Sequence, residues 1–184
     1  MLEGWAADSL NVQTPDELFQ AYVTWYNDCF RDVPADMVLG MHICRGNYTD
    51  GRYWAQGGFD RITRTLFRDS VLRVFYLEYD SPRAGGFELL RNLPLNKFVV
   101  LGVVTTKSAA LEDRAALEAR VREAARFVSE GNGISEAEAL QQLCVSPQCG
   151  FASHSGEDRM TREDMLAKLQ LVVDLARSLW PGQA

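Results

Sequence analysis

The chain has 184 residues, of which 47% are hydrophobic and 24% are charged, and its formal net charge is −6. These proportions are typical of a globular protein, and the negative charge argues against nucleic-acid binding, which depends on clustered lysine and arginine. No run of about 18 apolar residues is present, and the N-terminal segment lacks the basic start and apolar centre of a secretory signal. We therefore expect a cytoplasmic protein that binds neither nucleic acid nor a membrane.

The four cysteines are Cys29, Cys44, Cys144 and Cys149. A chain of this length can bury a core without disulfides, and cytosolic thiols stay reduced. We therefore interpret Cys29 and Cys144 as core residues and consider the other two as metal ligands. No repeat, low-complexity tract or linker divides the chain, so residues 1–184 are predicted to form one domain, with 1–13 as a lead-in segment.

The first predicted element is a helix that begins after Thr14, where Thr14 and Glu17 form a capping box around Pro15, and that ends near Phe30. Apolar runs and turn residues then predict, in chain order, a strand over 37–44, a helix around 59–67, a strand over 71–79, a short helix around 87–91 and a strand over 98–104.

The second half of the chain continues the alternation. Ser108 is predicted to cap a long helix that ends at Gly131-Asn132-Gly133. A second capping box, Ser135 and Glu138, precedes a strand over 140–145, and a last helix begins at Thr161. The strands are continuous apolar runs, which indicates a parallel sheet covered by helices, built from four βα units. Such units form either an open sheet or part of a barrel, and no glycine-rich phosphate-binding motif follows a strand.

Metal-ligand residue types lie at the ends of three predicted strands. His42 and Cys44 are two residues apart, so a strand directs both to one side. Glu78 is the carboxylate within the second apolar run, and Cys149 follows the fourth strand. The carboxyl ends of parallel strands share one edge, and an imidazole, two thiolates and a carboxylate are a donor set for zinc.

Structural explanations exist for the same residues. Glu78 could simply be paired with Arg73 or Arg83, and H-x-C is a short pattern. The ligand types could also coincide by chance in a small metal-free α/β hydrolase. Against this stand the lack of a G-x-S-x-G motif and the presence of only two histidines.

Four segments carry a resemblance to a known family: HICRGN at 42–47, FYLEYD at 75–80, VVLGVVTTK at 99–107 and LCVSPQCGF at 143–151. They resemble the C-terminal catalytic part of cobalamin-independent methionine synthases, and more closely the shorter methionine synthase II-like proteins. The similarity runs from about Thr14 to Trp180. It implies the C-terminal half of a (β/α)₈ barrel of the TIM type.

The resemblance also implies a chemistry. It makes His42, Cys44, Glu78 and Cys149 the ligands of a Zn²⁺ cofactor. The implied reaction transfers a methyl group from 5-methyltetrahydrofolate to the thiol of homocysteine, which displaces Glu78 from the metal, and gives methionine. A metal cation makes such a thiol reactive at neutral pH because it lowers the thiol pKa.

Several residues depart from the family pattern or leave it open. Methionine synthases carry a histidine where this chain has Lys107, which either replaces a proton-handling catalytic group or is a solvated strand-end lysine. Arg45 and Asn47 either bind a substrate carboxylate or pterin ring or hold their loop together. His154 matches no family role and is interpreted as a loop histidine.

Chain length is the largest departure, since a complete barrel needs about 250 residues. We therefore expect a fragment, a subunit that pairs with a complementary half-barrel chain, or a homo-oligomer that closes a barrel. Two functional alternatives stay open beside methionine synthesis. One is another zinc-dependent thiol alkyltransferase, such as the epoxyalkane:coenzyme M transferases, and the other is an inactive half-barrel with a structural zinc.

Overall fold

The computed structural model describes residues 6–48, 50–152 and 160–183. The elements, in chain order, are α1 (Pro15–Cys29), β1 (Gly40–Ile43), α2 (Asp60–Asp69), β2 (Val74–Glu78), two 3₁₀ helices (Pro82–Ala84 and Glu88–Asn92), β3 (Phe98–Val104), α3 (Arg114–Asn132), α4 (Glu136–Leu140), β4 (Leu143–Pro147) and α5 (Arg162–Leu179). Helices and strands alternate as predicted.

The four strands form one parallel sheet in the order β1-β2-β3-β4. This confirms the predicted fold class, an α/β half-barrel of four βα units. The register places His42 beside Tyr76, Tyr76 beside Val100, and Val100 beside Cys144. Because side chains alternate along a strand, these four residues lie in one row on one face of the sheet.

The two faces of the sheet differ in burial. Phe75, Leu77 and Leu101 point to the face that the helices cover, and each is at most 1% exposed. The opposite face, which would line the interior of a closed barrel, is open around Tyr76, whose side chain is 42% exposed. The hydrophobic core therefore lies between the sheet and its helices, and the ends of the strands are accessible from the open face.

The interpretation of Cys29 and Cys144 as core residues is wrong, because both thiols are exposed. Cys144 lies in the row of His42 and Tyr76 on the open face, whereas its neighbour Leu143 points into the core and is 2% exposed. Cys29 is the last residue of α1. A strand-by-strand reading of hydrophobicity does not show which face the rest of the fold leaves uncovered.

Capping accounts for most helix starts. The capping boxes of Thr14 with Glu17 and of Ser135 with Glu138 are confirmed, and Thr161 forms a third with Asp164.

Ser108 is not the N-cap of α3, which begins after Asp113, whose carboxylate accepts from the Ala116 N–H at 2.7 Å. The intervening segment is held outside the helix, because Glu112 accepts from the Thr105 N–H at 2.8 Å and from the buried Lys168 ammonium at 3.0 Å. In the described part of the chain, no helix is long and apolar enough to cross a membrane.

Candidate metal centre

Four side chains meet at the carboxyl edge of the sheet: His42, Cys44, Glu78 and Cys149. One potential ligand atom from each lies within 4.8 Å of all the others. The two sulfur atoms of Cys44 and Cys149 are 3.6 Å apart, and His42 Nε2 lies 3.9 Å from Glu78 Oε1. The structure thus brings together the four residues that the sequence predicts as metal ligands.

Close approach of the chain at Gly102 helps to place Cys149. Gly102 pairs with Glu78 in the sheet, and a Cβ atom on Gly102 would lie 3.0 Å from Gln148 Cα. The absence of a side chain therefore lets the segment after β4 cross tightly over β3. Gln148 is fixed there, since its N–H donates to the Val104 carbonyl at 2.7 Å and its side-chain oxygen accepts from the Thr106 N–H at 3.3 Å.

Glu78 is a buried carboxylate with its own set of donors. Its side chain is 1% exposed, and it accepts from the Arg45 N–H at 3.1 Å and from Asn47 Nδ2 at 3.0 Å. The Arg45 guanidinium lies 3.5 Å from Glu78 Oε2 and supplies the opposite charge. The ion-pair partner is therefore Arg45, and the expectation of a pair with Arg73 or Arg83 is wrong.

Arg45 and Asn47 are both 7% exposed. The Arg45 guanidinium donates to the carbonyls of Glu78 at 3.0 Å and Gly57 at 2.9 Å, while Asn47 Oδ1 accepts from Arg83 Nη2 at 3.0 Å. Burial lowers the pKa of Arg45 below its ordinary value. Both side chains hold the loop after β1 and orient Glu78, and the predicted contact with substrate stays a prediction.

The environment of Cys44 affects its protonation. Burial raises the pKa of the Cys44 thiol, an effect that the Gly46 N–H opposes by donating to Sγ at 3.3 Å. Without a cation, therefore, the thiol retains its proton at neutral pH. Metal binding would replace that proton, as is general for thiolate ligands.

The donor set fits a zinc ion. Tetrahedral zinc with Zn–S bonds of about 2.3 Å separates two ligand sulfurs by roughly 3.8 Å, close to the observed 3.6 Å. The His42 side chain is 38% exposed and Glu78 is 1% exposed, so the centre is open to solvent on its imidazole side and closed behind the carboxylate. This geometry allows a small molecule to reach the ligands.

Two cavities flank the centre. The large cavity, of about 570 Å³, lies against the open sheet face and is lined by residues that include His42, Tyr76 and Ser146. The small cavity, of about 220 Å³, is lined by residues that include Cys44, Cys149, Tyr48, Trp54 and Lys107. Cys149 and Gly150 line both cavities, which therefore adjoin at the centre.

Sequence reasoning missed Tyr48 and Trp54, although two aromatic residues in a glycine-punctuated loop after a ligand pair could have indicated a cavity wall. Lys107, predicted from its position after β3, donates from Nζ to the Gly150 carbonyl at 3.0 Å. It therefore lies beside the residue that follows Cys149. His154 is outside the described residues.

The chain is similar in sequence to two proteins of Bacillus subtilis. The chain is 42% identical over 91% of its length to the uncharacterized protein YxjG of Bacillus subtilis strain 168 and 39% identical over 90% to the uncharacterized protein YxjH. It covers 42% and 41% of these two relatives, respectively. No protein-family model matches the chain.

Two solved structures share the fold. A "putative vitamin-B12 independent methionine synthase" from Listeria monocytogenes matches 97% of this chain with a TM-score of 0.67 and 32% identity. A B12-independent methionine synthase from Shewanella sp. W3-18-1, in complex with selenomethionine, matches 88% with a TM-score of 0.60 and 18% identity. The chain spans 46% of each of these proteins. The chain therefore has an α/β half-barrel fold similar to about half of the Listeria protein.

The resemblance to the cobalamin-independent methionine synthases seen in the sequence is confirmed as a structural similarity to about half of each of these two proteins.

Proposed function

We propose that the chain is the metal-binding half of a zinc-dependent methyltransferase that transfers a methyl group from 5-methyltetrahydrofolate to the thiol of homocysteine and forms methionine. The observation that carries the proposal is the convergence of His42, Cys44, Glu78 and Cys149 within 4.8 Å at the open edge of the sheet. A half-barrel of the methionine synthase type supports it, as does a donor set that suits zinc.

The proposed roles of the residues follow from their contacts. When bound, zinc would lower the pKa of a substrate thiol so that the sulfur is a nucleophile at neutral pH. Cys44 and Cys149 would hold the ion with their thiolates, and His42 with its imidazole. Two thiolates supply negative charge, which keeps a neighbouring substrate sulfur electron-rich and reactive.

Glu78 is the ligand that we expect to yield its place to the substrate thiol. The Arg45 N–H and the Asn47 amide already donate to its carboxylate, at 3.1 and 3.0 Å. A displaced Glu78 would therefore remain hydrogen-bonded and charge-paired although it is buried. Lys107 would act in catalysis as a fixed positive charge beside the reacting groups.

The large cavity supports a two-substrate reaction, because it gives a methyl donor access from the open sheet face while an acceptor enters elsewhere. The Shewanella protein binds selenomethionine, and a methionine-like product is what this reaction would form. The open face also needs a cover, so we propose that a complementary half-barrel or a second copy completes the site. We propose the cytosol as the site of the reaction, because thiols stay reduced there.

A second candidate function is another zinc-dependent thiol alkylation, of the kind that epoxyalkane:coenzyme M transferases catalyse. Lys107 keeps this option open, since it stands where methionine synthases carry a histidine. The third alternative is a structural zinc in an inactive half-barrel, since a shell of four protein ligands, as here, is the usual arrangement of structural zinc. The response of the bound metal to a thiol distinguishes it from the transferase.

Cobalt substitution tests the proposed function. The chain is loaded with Co²⁺ and its absorption spectrum is recorded during titration with homocysteine. We expect the spectrum to change as the thiol enters the coordination shell, and to change less in the Glu78→Gln variant if displacement of the carboxylate drives the change. A protein that binds Co²⁺ but whose spectrum is insensitive to thiol would have a structural metal, and the transferase proposal would be wrong.

A further inference from the structure

The small cavity contacts the thiols of both Cys44 and Cys149 and has a volume of about 220 Å³. Cavities for drug-sized ligands have volumes of roughly 300–1,000 Å³. The small cavity therefore suits a molecule of only a few heavy atoms, and its position beside the two sulfurs suits the acceptor thiol better than a large methyl donor.

Charge is unevenly distributed in this cavity. Of the described residues that line it, Lys107 is the one with a permanently charged side chain. Its ammonium donates to the carbonyl of Gly150, the residue that follows Cys149. The nearby Arg45 is buried and donates to the carbonyls of Glu78 and Gly57, so its guanidinium is directed to the protein interior. A negative group in the small cavity would therefore meet Lys107.

Two aromatic side chains, Tyr48 and Trp54, also line the small cavity. Trp54 Nε1 donates to the Tyr48 hydroxyl at 2.7 Å, which fixes the two rings relative to each other. Gly46, at φ +65°, makes this possible, because a Cβ atom there would lie 2.5 Å from Trp54 Cδ1.

We propose that the small cavity selects the acceptor by charge: it binds a short aliphatic thiol whose sulfur meets Cys44 and Cys149 and whose carboxylate or sulfonate is held by Lys107. This inference rests on the proposed function and names the acceptor class. Homocysteine and 2-mercaptoethanesulfonate present the same chemistry, a fixed negative charge a few bonds from the sulfur.

The test compares thiols that differ in their head group. The full chain, loaded with Co²⁺, is titrated with 2-mercaptoethanesulfonate, with homocysteine and with neutral 2-mercaptoethanol, and dissociation constants are taken from the absorption change. We expect the anionic thiols to bind about tenfold more tightly than the neutral one, as one charge-assisted hydrogen bond provides. Lys107→Met should abolish this preference, and Lys107→Arg should retain it.

Arg126→Met, at an exposed position on α3, is the charge-matched control and should behave as the unmodified chain. The preference should also fall with added salt, since screening weakens partly exposed charge pairs. Equal affinity for neutral and anionic thiols, or an equal loss for both in Lys107→Met, overturns this inference while the proposed function stands. No spectral response to any thiol overturns the proposed function as well.

Discussion

Replacement of Arg45 by methionine probes the charge balance behind the metal centre. Glu78 is 1% exposed and its cation partner, at 3.5 Å, is itself 7% exposed. Arg45→Met would leave a buried carboxylate without its counter-charge and the Glu78 and Gly57 carbonyls without donors. Breaking a buried pair by removing one partner costs about 3–5 kcal/mol, so the metal-free variant should lose that much free energy of unfolding.

The double variant Arg45→Met with Glu78→Gln separates charge from packing. A neutral glutamine no longer needs the cation, so the double variant should recover about 2 kcal/mol relative to the sum of the two single effects. The assay is urea unfolding followed by circular dichroism in the presence of a chelator. Arg73→Met, at an exposed position immediately before β2, is the control and should change stability by less than about 0.5 kcal/mol. Additive effects of the two substitutions would refute the reasoning.

Three further predictions concern the thiols and the helix caps. Mild oxidation of the metal-free protein should form a disulfide between Cys44 and Cys149, whose sulfurs are 3.6 Å apart, and leave Cys144 open to alkylation. A disulfide that contains Cys144, detected by mass spectrometry, would contradict this prediction. Acidification to about pH 5 should release bound metal, because protons compete with the metal for the thiolates and burial raises the pKa of Cys44. A chromophoric chelator measures the released metal. Retention of the metal at all pH values would count against thiolate ligation. The Ser135 hydroxyl and N–H donate to the Glu138 carboxylate and hold the pKa of Glu138 below its ordinary value of 4.5. The stabilisation from this charged carboxylate is therefore fully present above pH 4.5 and is lost as the pH falls through the lower pKa of the folded state. The stability difference between the unmodified chain and Glu138→Gln should therefore shrink between about pH 6 and about pH 3, and a constant difference would refute the assignment.

The convergence of the metal ligands could be predicted because it depends on topology. Parallel strands end at one edge, and the two-residue period of a strand directs His42 and Cys44 to the same side. These rules need only the order of the elements. The start of α3 illustrates the opposite case, since Ser108 and Asp113 are both good caps and the choice depends on the contact of Glu112 with the distant Lys168.

Other features depend on contacts that no local pattern shows. Glu78 pairs with Arg45, across the sheet edge, because the loop after β1 folds back over β2. Cys144 is exposed because its strand face is open in this half-barrel. The small cavity needs the loop conformation at Gly46 that brings Trp54 beside the thiols. Such details follow from how elements pack together, which the sequence of one segment does not specify.

The most direct test of the metal centre is the zinc content per chain, measured by elemental analysis on purified protein and on three cysteine variants. We expect close to one zinc per chain in the unmodified protein, loss of most zinc in Cys44→Ser and Cys149→Ser, and full retention in Cys144→Ser, whose thiol is exposed outside the cluster. Folded, unmodified protein that binds no zinc, or variants that all retain it equally, would contradict the proposed centre.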